Sequence, residues 1–242
     1  MIETATVEIE LRPQKSEIIT KCLWAILGRH VSGPSISEPQ AAQQDAGAFV
    51  ALGGWLFRKR TSLPLPIVAL LLLVPPRAAD AASTWLVFAG IPVVALGELI
   101  RLWGVHHIGA ISRTRSERLG PLIDSGPFAH VRNPLYIGNI LLWIGFAVSA
   151  RLLWLAPLVF GLLALEYHAI VRWEERLLET RVGRAYVEYL QRVPRWIPSP
   201  SGRSLSDGHA VFSGTQTLYS ERGTLIAIVA GYLLLAIKAR IA

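Results

Sequence analysis

Two short polar stretches carry the residues of this chain that are able to do chemistry. The first is Gly126-Pro127-Phe128-Ala129-His130-Val131-Arg132-Asn133-Pro134-Leu135-Tyr136-Ile137-Gly138. The second opens at Glu174-Glu175 and runs through Gly183, Tyr186 and Tyr189 to Val193-Pro194-Arg195-Trp196-Ile197-Pro198. Paired carboxylates suit an ammonium or sulfonium group. Arg132 suits a carboxylate or phosphate, which its planar fork takes in bidentate fashion. Tyr136, Tyr186, Tyr189 and the tryptophans can offer ring faces to a cation. Gly126 and Gly138 permit close backbone approach, and Pro127 and Pro134 stiffen the turns. This set matches a zwitterionic amino acid bearing an onium group and an aromatic base, although the residue types alone do not choose the molecule.

Each stretch abuts an apolar run, and ionisable groups at a membrane border are costly unless paired or wetted. The apolar runs predict an all-α, polytopic helical membrane protein with about five transmembrane helices and a cofactor site on its cytoplasmic face. Leu63 to Val74 reads as a short first span, with Phe49 to Phe57 too short to cross alone. Trp85 to Trp103, Leu135 to Ala150, Leu152 to Val171 and Leu225 to Ile237 supply the rest. The last is short of the roughly 20 residues a full crossing needs. Residues 104–134 and 172–222 read as polar loops. Only Arg151 and its neighbours part the third and fourth spans, so these two form a tight antiparallel hairpin. That hairpin sets Arg132–Gly138, at the entrance of one helix, beside Glu174-Glu175 at the exit of the other. His130, Arg132, Asn133, Tyr136, Glu174 and Glu175 then share one site, open to the cytosol above and to lipid below.

Charge supports this topology. Crossing at each span puts the basic loops 58–60, 104–134 and 172–222 on one face, which the positive-inside rule makes cytoplasmic. Lys238 and Arg240 fall on the other face, in conflict with the rule unless they snorkel or the last helix is half-inserted. The chain has 242 residues, 52% hydrophobic and 17% charged, with mean hydropathy +0.42; soluble domains carry roughly 25% charged residues. Eight tryptophans suit the belts at headgroup level. The net charge of +7 is explained by membrane-flanking loops that meet anionic lipid, and no nucleic-acid recognition module is visible. Cys22 is the single cysteine, which rules out an intrachain disulfide or a cysteine-based metal site. The start lacks the basic and apolar regions of a signal peptide.

The organisation expected is a polar extension over 1–45, a membrane core over 46–222 and a last transmembrane or interfacial helix over 223–242. Within the extension, Ile18 to Val31 reads either as a short amphipathic helix or as disordered chain, and Ser32 to Gln44 as a linker. Glu98 and Arg101, three apart, lie on one helix face; they are either a buried intrahelical pair or a polar site facing substrate. His106-His107 invites a metal reading, but adjacent histidines point different ways on a helix, and no metal is expected.

The two stretches resemble the membrane-embedded methyltransferase family that includes isoprenylcysteine carboxyl methyltransferase and the phosphatidylethanolamine N-methyltransferases. The family pattern has a Gly-Pro-aromatic lead, then Arg-His/Asn-Pro-x-Tyr-x-Gly, Glu-Glu-x-x-Leu, Gly-x-x-Tyr-x-x-Tyr and Pro-Arg-x-Ile-Pro. This chain shows Arg132-Asn133-Pro134-Leu135-Tyr136-Ile137-Gly138, Glu174-Glu175-Arg176-Leu177-Leu178, Gly183-Arg184-Ala185-Tyr186-Val187-Glu188-Tyr189 and Pro194-Arg195-Trp196-Ile197-Pro198. The resemblance covers roughly residues 85–200. It implies S-adenosylmethionine as cofactor and a lipophilic acceptor drawn from the bilayer. By position, Gly126, His130, Val131, Arg132, Asn133, Pro134, Tyr136, Gly138, Glu174 and Glu175 would line the cofactor, with Arg132 and Glu175 as the catalytic candidates. Asn133 stands where prenylcysteine enzymes usually have His, which departs from the carboxyl-methylating pattern. An NADPH-dependent membrane sterol reductase has a similar Arg-His-Pro-x-Tyr-x-Gly layout, against which Glu174-Glu175 and the Pro-Arg-Trp-Ile-Pro close argue. A non-enzymatic membrane scaffold is the third reading. The acceptor and the oligomeric state stay open.

Overall fold

A computed structural model describes residues 38–76, 84–109, 122–202 and 212–241, without the side chains of 38–46. The chain divides into two units, 1–43 and 44–242. The expected amphipathic helix at Ile18–Val31 lies outside the described residues. The linker expected over Ser32–Gln44 gives way at its end to helix, because α1 already runs from Glu38 to Lys59. Alanine and glutamine, good helix formers, dominate that stretch and override its single Pro39 near the helix start.

Among the described residues all regular structure is helical. α2 (Leu65–Leu73) is followed by α3 (Trp85–Ile108), then a 3-10 turn over Gly126–Ala129 and α4 (Pro134–Ser149). A second 3-10 turn, Leu153–Leu155, leads into α5 (Ala156–Val182), and α6 (Arg184–Arg192) and α7 (Gly214–Ile241) complete the order. Three helical stretches are long and apolar enough to cross a membrane: Trp85–Ile108, Leu153–Val182 and Gly214–Ile241. Pro134–Ser149 is apolar but shorter. At 9 residues, α2 is roughly 13 Å long, under half of a hydrocarbon core.

Three helices outrun their expected bounds: the last, expected over Leu225–Ile237 and short of a crossing, runs over the 28 residues Gly214–Ile241, because its first turns are helical although polar. α3 continues past Trp103 to Ile108 and stops where Gly109 adopts φ +66°. α5 continues through the polar residues 172–182 and stops at Gly183, φ +68°, whose N–H bonds Glu179 O at 3.1 Å. Glycine adopts a positive φ without the steric cost other residues meet, so the glycine ends α3 and α5 and the change of polarity does not. Glu174-Glu175 therefore sits inside a helix.

The α4–α5 hairpin is present. Ala150 N–H bonds Phe146 O and Leu152 N–H bonds Ala147 O at 2.8 and 3.0 Å. Leu152 and Leu155, with Val159, Leu163 and Ile170 of α5, form the core against Ala147 of α4 and Ile67 and Leu71 of α2. In lipid, helices gain little from apolar burial and associate by close packing. α3 and α4 achieve this with glycines seven residues apart, Gly90 and Gly97 on one, Gly138 and Gly145 on the other. A Cβ on Gly97 would stand 2.7 Å from Gly138 O, and one on Gly145 would stand 2.9 Å from Gly90 O.

Beside that seam lies a polar hub. Arg101 of α3 bonds Asn139 of α4 at 2.5 Å and Glu221 and Thr224 of α7 at 2.6 and 3.2 Å. Glu98 stands 3.6 Å from Arg101 Nε, and its carboxylate oxygens have no hydrogen-bond partner among the described residues. The expected Glu98–Arg101 pair is thus buried, and Arg101's shorter contacts reach two other helices. Replacing Gly97 with Val drives a side chain into the α4 backbone. The expected cost is about 1–3 kcal/mol, read as a lower melting temperature in detergent; an unshifted melt rejects the glycine seam.

Candidate functional site

Two sequence devices set the first stretch. Gly126 takes φ +58°, and its missing side chain leaves room for the His107 ring, which lies against its Cα. Pro127 then opens the 3-10 turn, burying Pro127, Phe128 and Ala129. Pro134 occupies the first turn of α4, where its missing N–H costs nothing. Between these prolines, His130 to Asn133 faces the segment that follows α6.

That segment is laced to the first stretch by backbone bonds. Arg132 N–H bonds Pro194 O at 3.0 Å, and Ser199 N–H bonds His130 O at 2.9 Å. The side chains repeat the pairing. Arg132 Nε donates to Val193 O at 2.7 Å, Asn133 Nδ2 to Arg195 O at 3.1 Å, and His130 Nδ1 lies 2.8 Å from Ser199 O. A carbonyl only accepts, so Nδ1 carries the hydrogen and His130 presents Nε2 as its open nitrogen. α6 braces the turn from behind. Its Tyr189 donates to Phe128 O at 2.8 Å. Burial holds the Tyr186 and Tyr189 phenols well above their usual range, so both remain neutral.

Glu174 and Glu175 lie one residue apart and have different fates. Glu175 is buried and held by two arginines. Arg132 Nη1 reaches Oε1 at 2.6 Å, while Arg195 reaches Oε1 through Nε at 3.0 Å and Oε2 through Nη2 at 2.6 Å. The Glu175 hydrogen bond raises the Arg195 pKa. Glu174 instead accepts one bond, from Tyr136 Oη at 3.0 Å. Tyr136 packs against Tyr167 with ring centroids 4.7 Å apart. His168 accepts from Trp196 Nε1 at 3.4 Å.

The structure thus brings together His130, Arg132, Asn133, Tyr136, Glu174 and Glu175. Val131 and Pro134 are buried behind them. Gly138 faces α3: a Cβ there would meet Arg101 Cγ at 2.6 Å and Gly97 O at 2.7 Å. Gly126 packs on His107. Three side chains join the group that the two stretches did not single out for a role at the site: Arg195, Tyr167 and His168. The last two precede Glu174 and Glu175 by seven residues each and so share their helix faces, a spacing visible in the sequence. Among the described residues no group of three or more His, Cys, Asp or Glu side chains converges to hold a metal.

Residues 85–185, from α3 through α5, match the model of the phospholipid methyltransferase family. The matched region contains both stretches as far as Ala185, while Arg195 and α7, which complete the two charge clusters, lie beyond it. A protein-S-isoprenylcysteine O-methyltransferase B of Arabidopsis thaliana is 29% identical over 122 residues, 47% of this chain and 60% of the relative. The cobalt-zinc-cadmium resistance protein CzcN of Cupriavidus metallidurans is 29% identical over 120 residues, 48% of this chain and 52% of that protein. The nickel-cobalt-cadmium resistance protein NccN of Alcaligenes xylosoxydans xylosoxydans shows the same identity over 120 residues, 48% and 53% respectively. The matches thus span 52 to 60% of these relatives' lengths. No solved structure matches the chain.

Removing one partner of a buried ion pair strands the other and costs roughly 3–5 kcal/mol. Glu175→Gln strands two arginines, so it lowers the melting temperature strongly, whereas Glu174→Gln leaves it nearly unchanged. Paired thermal melts in one detergent check this; equal shifts overturn the division of roles.

Proposed function

We propose that the protein is a membrane methyltransferase that takes its methyl group from S-adenosylmethionine and gives it to a lipophilic acceptor from the bilayer, with the site on the cytoplasmic face. The observation that carries this reading is the unequal pairing of the two glutamates within a phospholipid methyltransferase core. Glu175 is consumed by Arg132 and Arg195, whereas Glu174 retains acceptor capacity beside two tyrosine rings.

The donor set fits a zwitterionic onium cofactor. Glu174 can hold a cationic amino group, and Tyr136 and Tyr167 lie beside it as ring faces. Arg132 spends Nε and Nη1 on the fold, and its Nη2 makes no hydrogen bond among the described residues. That N–H suits a carboxylate. When bound, S-adenosylmethionine supplies an electrophilic methyl group on a sulfonium. What the chain contributes is positioning and exclusion of water. The Arg132–Glu175–Arg195 clamp fixes the two segments that frame the site, and Tyr136 holds the Glu174 carboxylate in one orientation.

The acceptor belongs to one of two classes. A carboxylate acceptor needs no base. An ammonium acceptor must first lose a proton, which Glu174 Oε2 would take. The family description names phospholipids and one relative's name an isoprenylcysteine, so both classes stand among the relatives. Asn133, bonded to Arg195 O, departs from the prenylcysteine pattern and tilts the reading toward amine methylation.

Isothermal titration of the detergent-purified protein with S-adenosylmethionine tests the cofactor. Saturable binding is expected, weakened roughly tenfold by Glu174→Gln, the loss of one charge-assisted contact. NADPH binding without S-adenosylmethionine binding would point to the reductase instead. Incubation of membranes with methyl-labelled cofactor then identifies the acceptor by the lipid that becomes labelled.

A further inference from the structure

α1 is held along α5 by close contact. A Cβ on Gly53 would collide with Ala169 O, and one on Gly54 would stand 2.8 Å from Trp173 Nε1. The Phe49 ring lies 6.1 Å from His168 and the Phe57 ring 4.9 Å from Trp173, centroid to centroid. Trp173 immediately precedes Glu174, so this packing brings the end of α1 to the level of that carboxylate. Three basic residues close α1. Arg58 and Lys59 are exposed, as suits residues that only orient a cytoplasmic loop, whereas Arg60 is half-buried. The Arg60 charge acts on Glu174, Tyr136 and Tyr167, the side chains of the site that the Arg132–Glu175–Arg195 clamp does not use. Arg132 acts instead on Glu175, Tyr186 and Tyr189.

How Arg60 is held decides what it can offer. Its guanidinium carbon stands 4.0 Å from the centre of the Phe57 ring. Such a stack engages the face of the planar fork and leaves its N–H edge open. Among the described residues that edge has no hydrogen-bond or ion-pair partner. Glu174 accepts from Tyr136 through one oxygen only. The stack on Phe57 and the bond from Tyr136 thus hold two opposite charges near each other but apart. That arrangement complements a molecule that carries both charges, its anionic group on the fork and its amine at Glu174.

Resting on the methyltransferase reading above, we propose that Arg60 is a specificity-determining residue that holds the phosphate of an aminophospholipid acceptor and so places its amine at Glu174. Leu52 and Trp55 of α1 are exposed, an apolar face along which the acyl chains can lie. The carboxylate of the cofactor has a separate partner in Arg132 Nη2, which leaves Arg60 to the acceptor. Arg60 precedes residues 85–185, so this acceptor contact lies outside the region that matches the family.

Native mass spectrometry of the detergent-purified full chain with phosphatidylethanolamine, and no cofactor, reads the contact apart from turnover. Wild-type protein is expected to retain the lipid saturably, Arg60→Gln roughly tenfold more weakly, and Arg60→Lys in between. Arg58→Gln, which removes a neighbouring exposed charge, retains it as the wild type does. Turnover with methyl-labelled S-adenosylmethionine gives the second reading. Arg60→Gln raises KM for phosphatidylethanolamine by the same factor while kcat holds, and KM for a long-chain alkylamine, which has no phosphate, does not follow. Equal losses of retention in Arg58→Gln and Arg60→Gln overturn the proposal in favour of general membrane charge. Weaker S-adenosylmethionine binding by Arg60→Gln in isothermal titration overturns it in favour of the cofactor carboxylate. A wild type that binds S-adenosylmethionine but neither retains nor methylates phosphatidylethanolamine overturns this proposal alone. A wild type that binds no S-adenosylmethionine, yet loses lipid retention on Arg60→Gln, overturns the methyltransferase reading and supports the phosphate contact.

Discussion

The buried carboxylate of Glu175 needs positive partners, and most of the site follows from how that need is met. A lone carboxylate removed from water is too costly to keep ionised. Arg132 comes from the turn before α4 and Arg195 from the segment after α6, so satisfying one side chain of α5 fixes three parts of the chain. The backbone bonds Arg132 N–H to Pro194 O and Ser199 N–H to His130 O close the same junction without charge. Glu174, one residue earlier, points to a different neighbour, Tyr136, which bonds one of its two carboxylate oxygens. Under the proposed function, holding the shape of the site and binding a cation are divided between two carboxylates.

The membrane interior poses the opposite problem. Lipid tails are as apolar as leucine, so burying more leucine does not bring helices together. The glycine seam between α3 and α4 solves this by backbone contact. The Arg101 hub adds a polar tie to α7 through Glu221 and Thr224. The Arg101 guanidinium finds its hydrogen-bond partners on two other helices, which makes the hub directional where the seam is not. Both devices act on α3 and α4, and the first polar stretch leads directly into α4.

Much of this was legible in the chain. The helical hairpin followed from two apolar runs parted by Arg151, and the meeting of Arg132 with the Glu174-Glu175 pair followed from the hairpin. The helix ends were less legible, because hydropathy reports where an apolar run stops and α5 continues through polar residues as far as Val182, ahead of Gly183. The seven-residue glycine spacing of α3 and α4 was present in the sequence, but its meaning depends on which two helices face each other. The pairing of Arg101 with Glu221 was not legible, since their separation of 120 residues carries no local signal.

The sequence by itself determined the helical class of the molecule, the places of its apolar helices, and the two polar stretches that the fold brings together. These are local properties, written in composition, in the lengths of apolar runs and in short motifs. Only the tertiary structure decided which of two adjacent glutamates is bound and which remains available. That outcome rests on Arg195, twenty residues from Glu175, and on the direction each side chain leaves the helix. Neighbours in sequence sit about 100° apart around a helix axis, so adjacent identical residues meet different surroundings, and surroundings are a property of the fold.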